Sequence, residues 1–339
     1  MDKLKAAIIG CGAICNNHGN SIEEILTGEL VCVVDKVESK AKETAEKFGC
    51  KYEVDYKKML KNNEIQVVHI ATPHFLHVPM IMDIVKAGKD VVVEKPVALN
   101  HQQSKTLIEN LKDFPERKVI VCYQNRYNPT SIKAKEIIEE RIYGDLIGIK
   151  GLVTWYRDKE YYTNSDWRGS FETEGGGVLI NQAIHTLDLM QWFGGKIDKI
   201  KGHVDTRILE DVIEVEDTAD ATIKFSNGAI GVFYATNCNT TNSSVEIELN
   251  FEKGTLVIKD GSITLHKDGE IQILLSESVA SGQKNYWGMS HKVLIDQYYR
   301  DLIDDKQPEI SPYNASISLE MINGIYESNK NNKYYKMKY

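Results

Sequence analysis

The chain has 339 residues and a formal net charge of −8, with 42% hydrophobic and 27% charged residues. These values are ordinary for a globular protein of about two domains, and the negative charge argues against a nucleic-acid partner. No run approaches the roughly 18 apolar residues of a membrane span, and the first residues lack the apolar core of a signal peptide. Six cysteines form no C-x-x-C pair and show no zinc-ligand spacing, so the sequence predicts a cytoplasmic protein with neither a metal site nor a membrane partner.

The first motif follows a short buried-strand pattern over residues 6–9 and has the form G-x-G-x-x-C. Cys15 stands where the dinucleotide-binding fingerprint normally has Gly or Ala, and it is small enough for helix–strand packing. The first glycine permits a tight turn, the second lets the backbone approach a pyrophosphate, and the helix that follows offers N–H groups to it. The cofactor-binding residues predicted in this loop are Gly10, Cys11, Gly12, Ala13 and Ile14.

The next predicted strand covers residues 30–34 and ends at Asp35, 23 residues after Gly12. A carboxylate at this position accepts hydrogen bonds from the adenosine ribose hydroxyls and repels a 2′-phosphate, which favours NAD. The neighbouring Lys36 leaves NADP open as the cofactor.

Helical and strand patterns then alternate through the first third of the chain. Strands are predicted at 66–70, 90–93 and 119–122, and helices at 41–48, 56–60, 77–86 and 101–111. This alternation implies right-handed crossovers and a parallel sheet, with functional loops after the carboxyl ends of the strands. Residues 71–77 and 94–96 form two such loops, so residues 1–123 are predicted to be a Rossmann-type α/β domain.

Three histidines, His69, His74 and His77, lie near the first of these loops. They suggest a metal site, but no further ligand recurs at a matching spacing, so we predict none. His69 lies within a strand pattern and is expected to be packed in the core.

A second conspicuous stretch begins with three glycines at 175–177 and is predicted to continue as one helix of about four turns. Asn181, His185, Asp188 and Trp192 fall on one stripe of this helix, while the other sides are apolar. A helix that is apolar almost all round is buried, and burying Asn, His and Asp costs several kcal/mol unless each is paired. The stretch is therefore either a core helix with satisfied polar groups or one wall of a ligand site.

The rest of the chain, residues 124–339, is predicted to be an α+β domain. A helix ending near 140 and a strand over 144–155 precede a loop carrying Tyr161, Trp167 and Arg168, which is either a substrate rim or an ordinary surface loop. Short alternating runs with a turn at 226–228 then predict a large, mostly antiparallel open sheet. Helices at about 290–304 and 314–328 close the chain, and the C-terminal helix has the option of packing back on the first domain.

Taken together, these motifs resemble the glucose–fructose oxidoreductase / inositol dehydrogenase (Gfo/Idh/MocA) family of NAD(P)-dependent oxidoreductases. The most specific mark is Glu94-Lys95-Pro96 at the end of a strand, and the match runs in order through the stretch at 175–188. The resemblance implies that Lys95 lies beside the nicotinamide and the substrate. Further cofactor contacts are implied for Thr72, Pro73, His74, His77, Glu94, Gln124 and Arg126.

The resemblance also assigns roles to the glycine-led stretch. His185 takes the place of the acid/base, across the nicotinamide from Lys95, and Asn181 stands four residues earlier, where many members have Asp. An amide cannot raise the pKa of a histidine as a carboxylate does, although it can orient the ring or hold a substrate hydroxyl. Trp167 and Arg168 are implied to contact the substrate, while Asp188 is expected to anchor the helix.

The implied activity is hydride transfer between NAD, with NADP not excluded, and a secondary alcohol of a sugar, nucleotide sugar or polyol. Two alternatives use the same fold: an NAD-dependent glycosidase with transient sugar oxidation, and a non-catalytic NAD-binding regulator. An open sheet face often pairs with another copy, so a homo-dimer or homo-tetramer through the C-terminal sheet is expected.

Overall fold

The structure is a computed structural model that describes residues 3–277 and 290–339. The chain divides into two compact units, one of Met1–Gln124 with Ser290–Ser316 and one of Asn125–Met289 with Ile317–Tyr339. The predicted second domain is therefore not continuous, because the segment after residue 289 returns to the first unit before the chain re-enters the second.

The first unit contains a six-stranded sheet with helices between its strands. Its elements are β1 (Leu4–Ile9), α1 (Cys15–Glu24), β2 (Gly28–Val34), α2 (Glu38–Phe48), β3 (Lys51–Glu53), α3 (Tyr56–Met59), β4 (Val67–Ile70), α4 (His77–Lys86), β5 (Asp90–Val93), α5 (His101–Leu111) and β6 (Val119–Val121).

All pairings in this sheet are parallel, in the order β3-β2-β1-β4-β5-β6. This is the strand order of the dinucleotide-binding Rossmann fold. The predicted Rossmann domain is confirmed, and its central strands are buried on both faces, which explains their continuous apolar sequences. Only the short β3 was not predicted.

The second unit contains a nine-stranded sheet and the helices associated with it. Its elements begin with α6 (Pro129–Glu139), β7 (Leu146–Thr154), α7 (Lys159–Thr163), α8 (Val178–Asn181), α9 (Ile184–Gly194), β8 (Ile197–Asp205), β9 (Thr218–Phe225) and β10 (Ile230–Thr236). They continue with β11 (Glu246–Phe251), β12 (Gly254–Lys259), β13 (Ser262–Lys267) and β14 (Glu270–Ser276). The chain closes with α10 (His291–Ile303), α11 (Pro312–Asn331) and β15 (Tyr335–Lys336), of which α10 belongs to the first unit.

The sheet order is β14-β13-β12-β11-β7-β10-β9-β8-β15, and every pairing is antiparallel except that of β7 with β10. The predicted mostly antiparallel sheet is confirmed, with β14 and β15 as additions. Helix α9 packs closely on β7, where a Cβ at Gly151 would lie 2.5 Å from Met190 Sδ. The opposite face is partly apolar and exposed at Ile147 and Val232.

None of the helices in the described ranges combines the length and apolarity that crossing a membrane requires.

Candidate active site

The glycine loop after β1 has the geometry that the dinucleotide fingerprint requires. Gly10 has φ of 98°, and a Cβ there would lie 2.4 Å from the carbonyl oxygen of Ala71, so no other residue fits. A Cβ at Gly12 would meet nothing within 4 Å. The backbone at Gly12 is thus open to a close approach from outside the protein.

The residues around this loop fit a pyrophosphate and a ribose. Among the described residues, the N–H groups of Gly12, Ala13 and Ile14 have no protein acceptor, and they lead into the N-terminus of α1. Asp35 accepts hydrogen bonds from the N–H of Cys11 (2.9 Å) and of Val37 (2.8 Å). Each carboxylate oxygen keeps a further lone pair, so Asp35 still has the capacity to accept from ribose hydroxyls.

The loops after β4 and β5 carry the other predicted cofactor residues of the first unit, namely Thr72, Pro73, His74, Glu94 and Lys95. The backbone of the second loop continues the sheet pattern, with Glu94 N–H donating to Ile70 O, and the Lys95–Pro96 peptide is cis. Lys95 is buried, at 8% exposure. The predicted residue Gln124 is also buried, at the end of the first segment of this unit.

His77 joins these two loops through its ring nitrogens, and its contact with the cofactor stays a prediction. Its Nδ1 lies 2.7 Å from Pro96 O and its Nε2 lies 2.9 Å from Thr72 O, and its side chain is fully buried. Burial lowers the pKa of His77, although the two carbonyls favour the charged ring. With both nitrogens used inside the protein, the side chain holds the loops together.

Glu94, whose contact with the cofactor stays a prediction, has two histidine partners inside the first unit. Its Oε1 accepts hydrogen bonds from His18 Nε2 (3.1 Å) and His291 Nε2 (3.2 Å). Burial opposes ionisation of this carboxyl, but the two histidines outweigh burial and hold the pKa of Glu94 well below its usual range. The structure thus places a buried carboxylate directly before Lys95.

The Glu94 contacts belong to a buried network that the sequence did not predict. His69 Nδ1 lies 2.9 Å from His18 Nδ1, and His69 Nε2 lies 2.9 Å from the Tyr299 hydroxyl. His69 is buried as expected, but it is hydrogen-bonded and not merely packed. His18, Glu94 and His291 have ligand-type atoms within 4.8 Å of one another, which spacing along the chain did not indicate. Hydrogen bonds to Glu94 Oε1 join these three side chains.

In the second unit, the glycine-led stretch is anchored by Glu216. Its carboxylate accepts from the N–H of Gly177 (3.0 Å) and of Leu179 (2.9 Å), and from the hydroxyl of Tyr326 (2.7 Å). A Cβ at Gly177 would lie 1.8 Å from Glu216 O, so the third glycine is sterically required. Glu216 therefore has a structural role in holding this stretch.

The single helix predicted after the glycines is wrong, because the structure has two helices, α8 and α9. The N–H of Ala183 donates to Val178 O, five residues back, so one extra residue enters the turn between them. Gln182, at this break, directs its side chain to the Tyr161 hydroxyl (3.2 Å) and to Asn237 Nδ2 (3.1 Å). Tertiary hydrogen bonds thus interrupt a stretch whose composition favours a helix.

Despite the break, two residues of the predicted stripe, Asn181 and His185, still line one small cleft. Asn181 and His185, both 8% exposed, lie on its wall at the end of α8 and the first turn of α9. The lining is rich in groups that form hydrogen bonds and consists of Asn125, Trp155, Asn181, Gln182, His185, Thr186 and Val245. The stretch is therefore a cleft wall as well as part of the core.

A buried carboxyl that the sequence analysis missed positions Asn181. Glu174 Oε1 accepts from Asn181 Nδ2 at 2.5 Å, and Oε2 accepts from the N–H of Gly169 at 2.6 Å. Burial raises the pKa of Glu174 to about 7. Whenever Glu174 is ionised, its negative charge is therefore in hydrogen-bond contact with the Asn181 side chain.

Trp167 and Arg168 lie with Tyr161 in one aromatic cluster. The Arg168 guanidinium carbon is 4.5 Å from the centre of the Tyr161 ring and 4.7 Å from that of Trp167. The Tyr161 hydroxyl is 3.4 Å from Asn181 Nδ2. The loop predicted as a possible substrate rim is therefore connected to the cleft residues through Tyr161.

Arg126 has a buried partner that the sequence did not predict. Its Nε and a terminal nitrogen donate to the two oxygens of Asp188 at 2.8 and 2.6 Å. This ion pair agrees with the predicted anchoring role of Asp188. The contact of Arg126 with the cofactor stays a prediction.

Comparisons with known proteins agree with this architecture. The family model described as "Oxidoreductase family, NAD-binding Rossmann fold" matches residues 4–123, and "GFO/IDH/MocA C-terminal domain" matches residues 131–257. The chain is 27% identical to Oxidoreductase P35 of Formosa agariphila, over 80% of this chain and 84% of that protein. It is also 27% identical to a scyllo-inositol 2-dehydrogenase (NAD(+)) of Bacillus subtilis, over 76% of this chain and 74% of that protein.

One solved structure adds a ligand-bound relative. The WlbA dehydrogenase of Chromobacterium violaceum, in complex with NADH and UDP-GlcNAcA, is 26% identical and has a TM-score of 0.86. The similarity covers 99% of this chain and 96% of that one.

Proposed function

Since the chain belongs to the GFO/IDH/MocA family of NAD-binding oxidoreductases, we propose that it transfers a hydride between NAD and a secondary alcohol of a sugar, nucleotide sugar or polyol. One observation carries this proposal most strongly: His185 and Asn181 share a hydrogen-bonding cleft in a chain whose other unit has an open glycine loop of Rossmann geometry. The cleft and the cofactor loop that the proposed reaction needs are thus both built from this chain's own residues.

His185 is the proposed acid/base. Histidine is the side chain whose ordinary pKa lies nearest neutrality, which suits it to take the proton of a hydroxyl and return it in the reverse reaction. Its position in the first turn of α9 places the ring on the cleft wall, and Thr186 and Gln182 beside it offer groups that hold sugar hydroxyls.

Lys95 is the proposed electrostatic partner of the reacting oxygen. Its ammonium group hydrogen-bonds the substrate hydroxyl and stabilises the negative charge that develops as the proton leaves. The nicotinamide, when bound, supplies the hydride acceptor. His77 supports Lys95 indirectly, because it ties Pro96 to the loop at Thr72.

The substrate class rests on the cleft and on the relatives together. Amide and hydroxyl groups dominate the described cleft lining, as expected for a polyhydroxylated ligand. The relatives include an inositol dehydrogenase and a dehydrogenase bound to a nucleotide sugar. Asp35 at the end of β2 favours NAD over NADP, since its carboxylate repels a 2′-phosphate.

We further propose that the protein is a homo-dimer or homo-tetramer through the open sheet face, where Ile147 and Val232 are exposed. All six cysteines are free thiols, which suits a reducing, cytoplasmic environment. Light scattering after gel filtration tests the assembly, and a monomer would contradict it.

The activity is tested with a panel of sugars, inositols and UDP-sugars, each mixed with NAD while NADH absorbance is followed. We expect at least one member to reduce NAD, and Lys95→Ala and His185→Gln to lose turnover while NADH still binds. Lys86→Ala, an exposed lysine of the first unit, is the matched control.

The outcomes separate the alternatives. Net hydrolysis of a glycoside with NAD retained and recycled would identify a glycosidase. NADH binding without turnover of any panel member would favour a regulator. Near-normal turnover by Lys95→Ala would contradict the assigned role of this lysine.

A further inference from the structure

Arg168 is held in place by aromatic rings and not by hydrogen bonds. Its guanidinium lies over Tyr161 at 4.5 Å and over Trp167 at 4.7 Å, measured to the ring centres. Its Nε is buried without a hydrogen-bond partner, and within the described residues its other N–H groups have none either. Stacking restricts the fork of a guanidinium without using its donors.

A second arginine lies beside the same tyrosine. The Arg157 guanidinium carbon is 5.2 Å from the centre of the Tyr161 ring and 5.2 Å from that of Trp155. One of its terminal nitrogens donates to Tyr156 O (2.6 Å) and to Asn242 Oδ1 (2.8 Å), and these contacts fix its position. In the described part of the chain, neither arginine forms an ion pair within 4.0 Å.

Glu174 interacts electrostatically with Arg168, but its carboxyl group forms no ion pair with the guanidinium. Glu174 directs its two oxygens to Asn181 and Gly169, and burial raises its pKa to about 7. Two cationic groups thus remain around Tyr161 with hydrogen-bond donors to spare.

The cluster is connected to the cleft by the Tyr161 hydroxyl, which lies 3.2 Å from Gln182 Nε2 and 3.4 Å from Asn181 Nδ2. Trp155, the ring under Arg157, itself lines the cleft. A ligand held by Asn181 and Gln182 would therefore have a cationic region beside it, within the second unit.

We propose that Arg168, together with Arg157, binds an anionic group of the substrate, so that the substrate is a sugar carrying a carboxylate or a phosphate and not a neutral polyol. The proposal rests on the proposed function for the identity of the ligand as a sugar. A stacked guanidinium with free donors is suited to bidentate binding of either oxyanion, which a lysine cannot reproduce.

The test measures binding of four probes to NADH-loaded, full-length protein by calorimetry: D-glucose, D-glucuronate, D-glucose 6-phosphate and UDP-glucose. We expect at least one anionic probe to bind at least tenfold more tightly than D-glucose, and the best anionic probe identifies carboxylate, phosphomonoester or diphosphate as the group. The preference should weaken with added salt, because exposed charges are screened.

Variants assign the preference to the arginines. Arg168→Gln should reduce the preference at least tenfold, Arg157→Gln should reduce it less, and Arg168→Lys should restore it only in part. Arg141→Gln removes the same charge from an exposed position of the same unit and should change nothing. Unchanged thermal unfolding of each variant shows that the fold is intact.

Equal binding of neutral and anionic probes, no binding of any anionic probe, or an unchanged preference in Arg168→Gln would overturn the proposal. The outcome is separable from that of the proposed function. Turnover of a neutral sugar without an anion preference refutes only the anionic site. Conversely, an Arg168-dependent anion preference without any turnover keeps the site and favours the non-catalytic regulator over the oxidoreductase.

Discussion

The two units build their functional residues in different ways. In the first unit, Gly10, Asp35 and Lys95 stand at the carboxyl ends of parallel strands, where the fold itself gathers them at one edge of the sheet. In the second unit, Asn181 and His185 depend on contacts with distant residues, since Glu216 and Glu174 hold the segment that carries them.

This difference predicts whether a substitution in each unit changes ligand binding alone or changes stability as well. In the first unit the backbone at Gly12 is open, so a substitution there should change cofactor binding and leave stability nearly intact. Residues that depend on buried carboxylates should change stability and function together. The following variants are ordered from the largest expected effect to the smallest.

The largest effect is expected for Gly177→Ala in the second unit. The new Cβ would lie 1.8 Å from Glu216 O, so the backbone must move and the hydrogen bonds of Glu216 to this stretch must break. We expect a loss of about 3 kcal/mol or more in the free energy of unfolding, the upper part of the range for overpacking. Chemical denaturation measures it.

Its counterpart in the first unit is Gly12→Ala, where a Cβ would meet nothing within 4 Å. The free energy of unfolding of this variant should lie within about 1 kcal/mol of that of wild type. The variant should bind NADH at least tenfold more weakly. If Gly177→Ala were as stable as wild type, the close approach at Glu216 would not be a constraint, and the contrast between the units would fail.

The next effect concerns the pH dependence of stability. The pKa of Glu174 in the folded protein is about 7, above its ordinary value of 4.5, so the folded state favours the protonated carboxyl. The stability that this group contributes is fully present below about pH 4.5 and is lost as pH rises through 7, by at most ~3 kcal/mol.

Glu174→Gln cannot ionise, so its stability relative to wild type should rise between these two pH values. Glu172→Gln, at an exposed position, should follow wild type throughout. Thermal unfolding across the pH range measures both. Parallel curves for wild type and Glu174→Gln would show that this carboxyl keeps an ordinary pKa.

The smallest effect is expected for Asp35→Ser, which removes the negative charge that disfavours a 2′-phosphate. The preference for NAD over NADP should fall at least tenfold, about 1.4 kcal/mol, with little change in unfolding. Asp113→Ser, an exposed control in the same unit, should keep the preference. Titration with NADH and NADPH checks the result, and an unchanged preference would remove Asp35 from the cofactor site.

The same contrast explains how much the sequence revealed. The strands and glycines of the first unit follow from local patterns, because a parallel Rossmann sheet fixes where each loop emerges. By contrast, Glu174 and Gln182 carry no periodicity that marks them, and their partners become visible only in the folded chain. The break between α8 and α9 was not predicted for the same reason, because the partners of Gln182 are distant in the sequence.

In the first unit, too, individual residues have tertiary partners that their motifs do not reveal. His77 and Glu94 stand in loops that match the family, yet their side chains bond within the protein, to backbone carbonyls and to histidines. His291 is far from Glu94 in sequence, so spacing alone could not connect them. A motif located these loops correctly, but it did not show which way the side chains point.

The most direct test of the account is isotope transfer. The panel sugar that reduces NAD fastest is prepared with deuterium on the carbon that bears the reacting hydroxyl, and the NADH formed is examined by mass spectrometry. We predict that the deuterium appears in NADH, and that Lys95→Ala and His185→Gln bind NADH but transfer none. NADH without the label, or transfer by Lys95→Ala at nearly the wild-type rate, would contradict hydride transfer by the residues proposed.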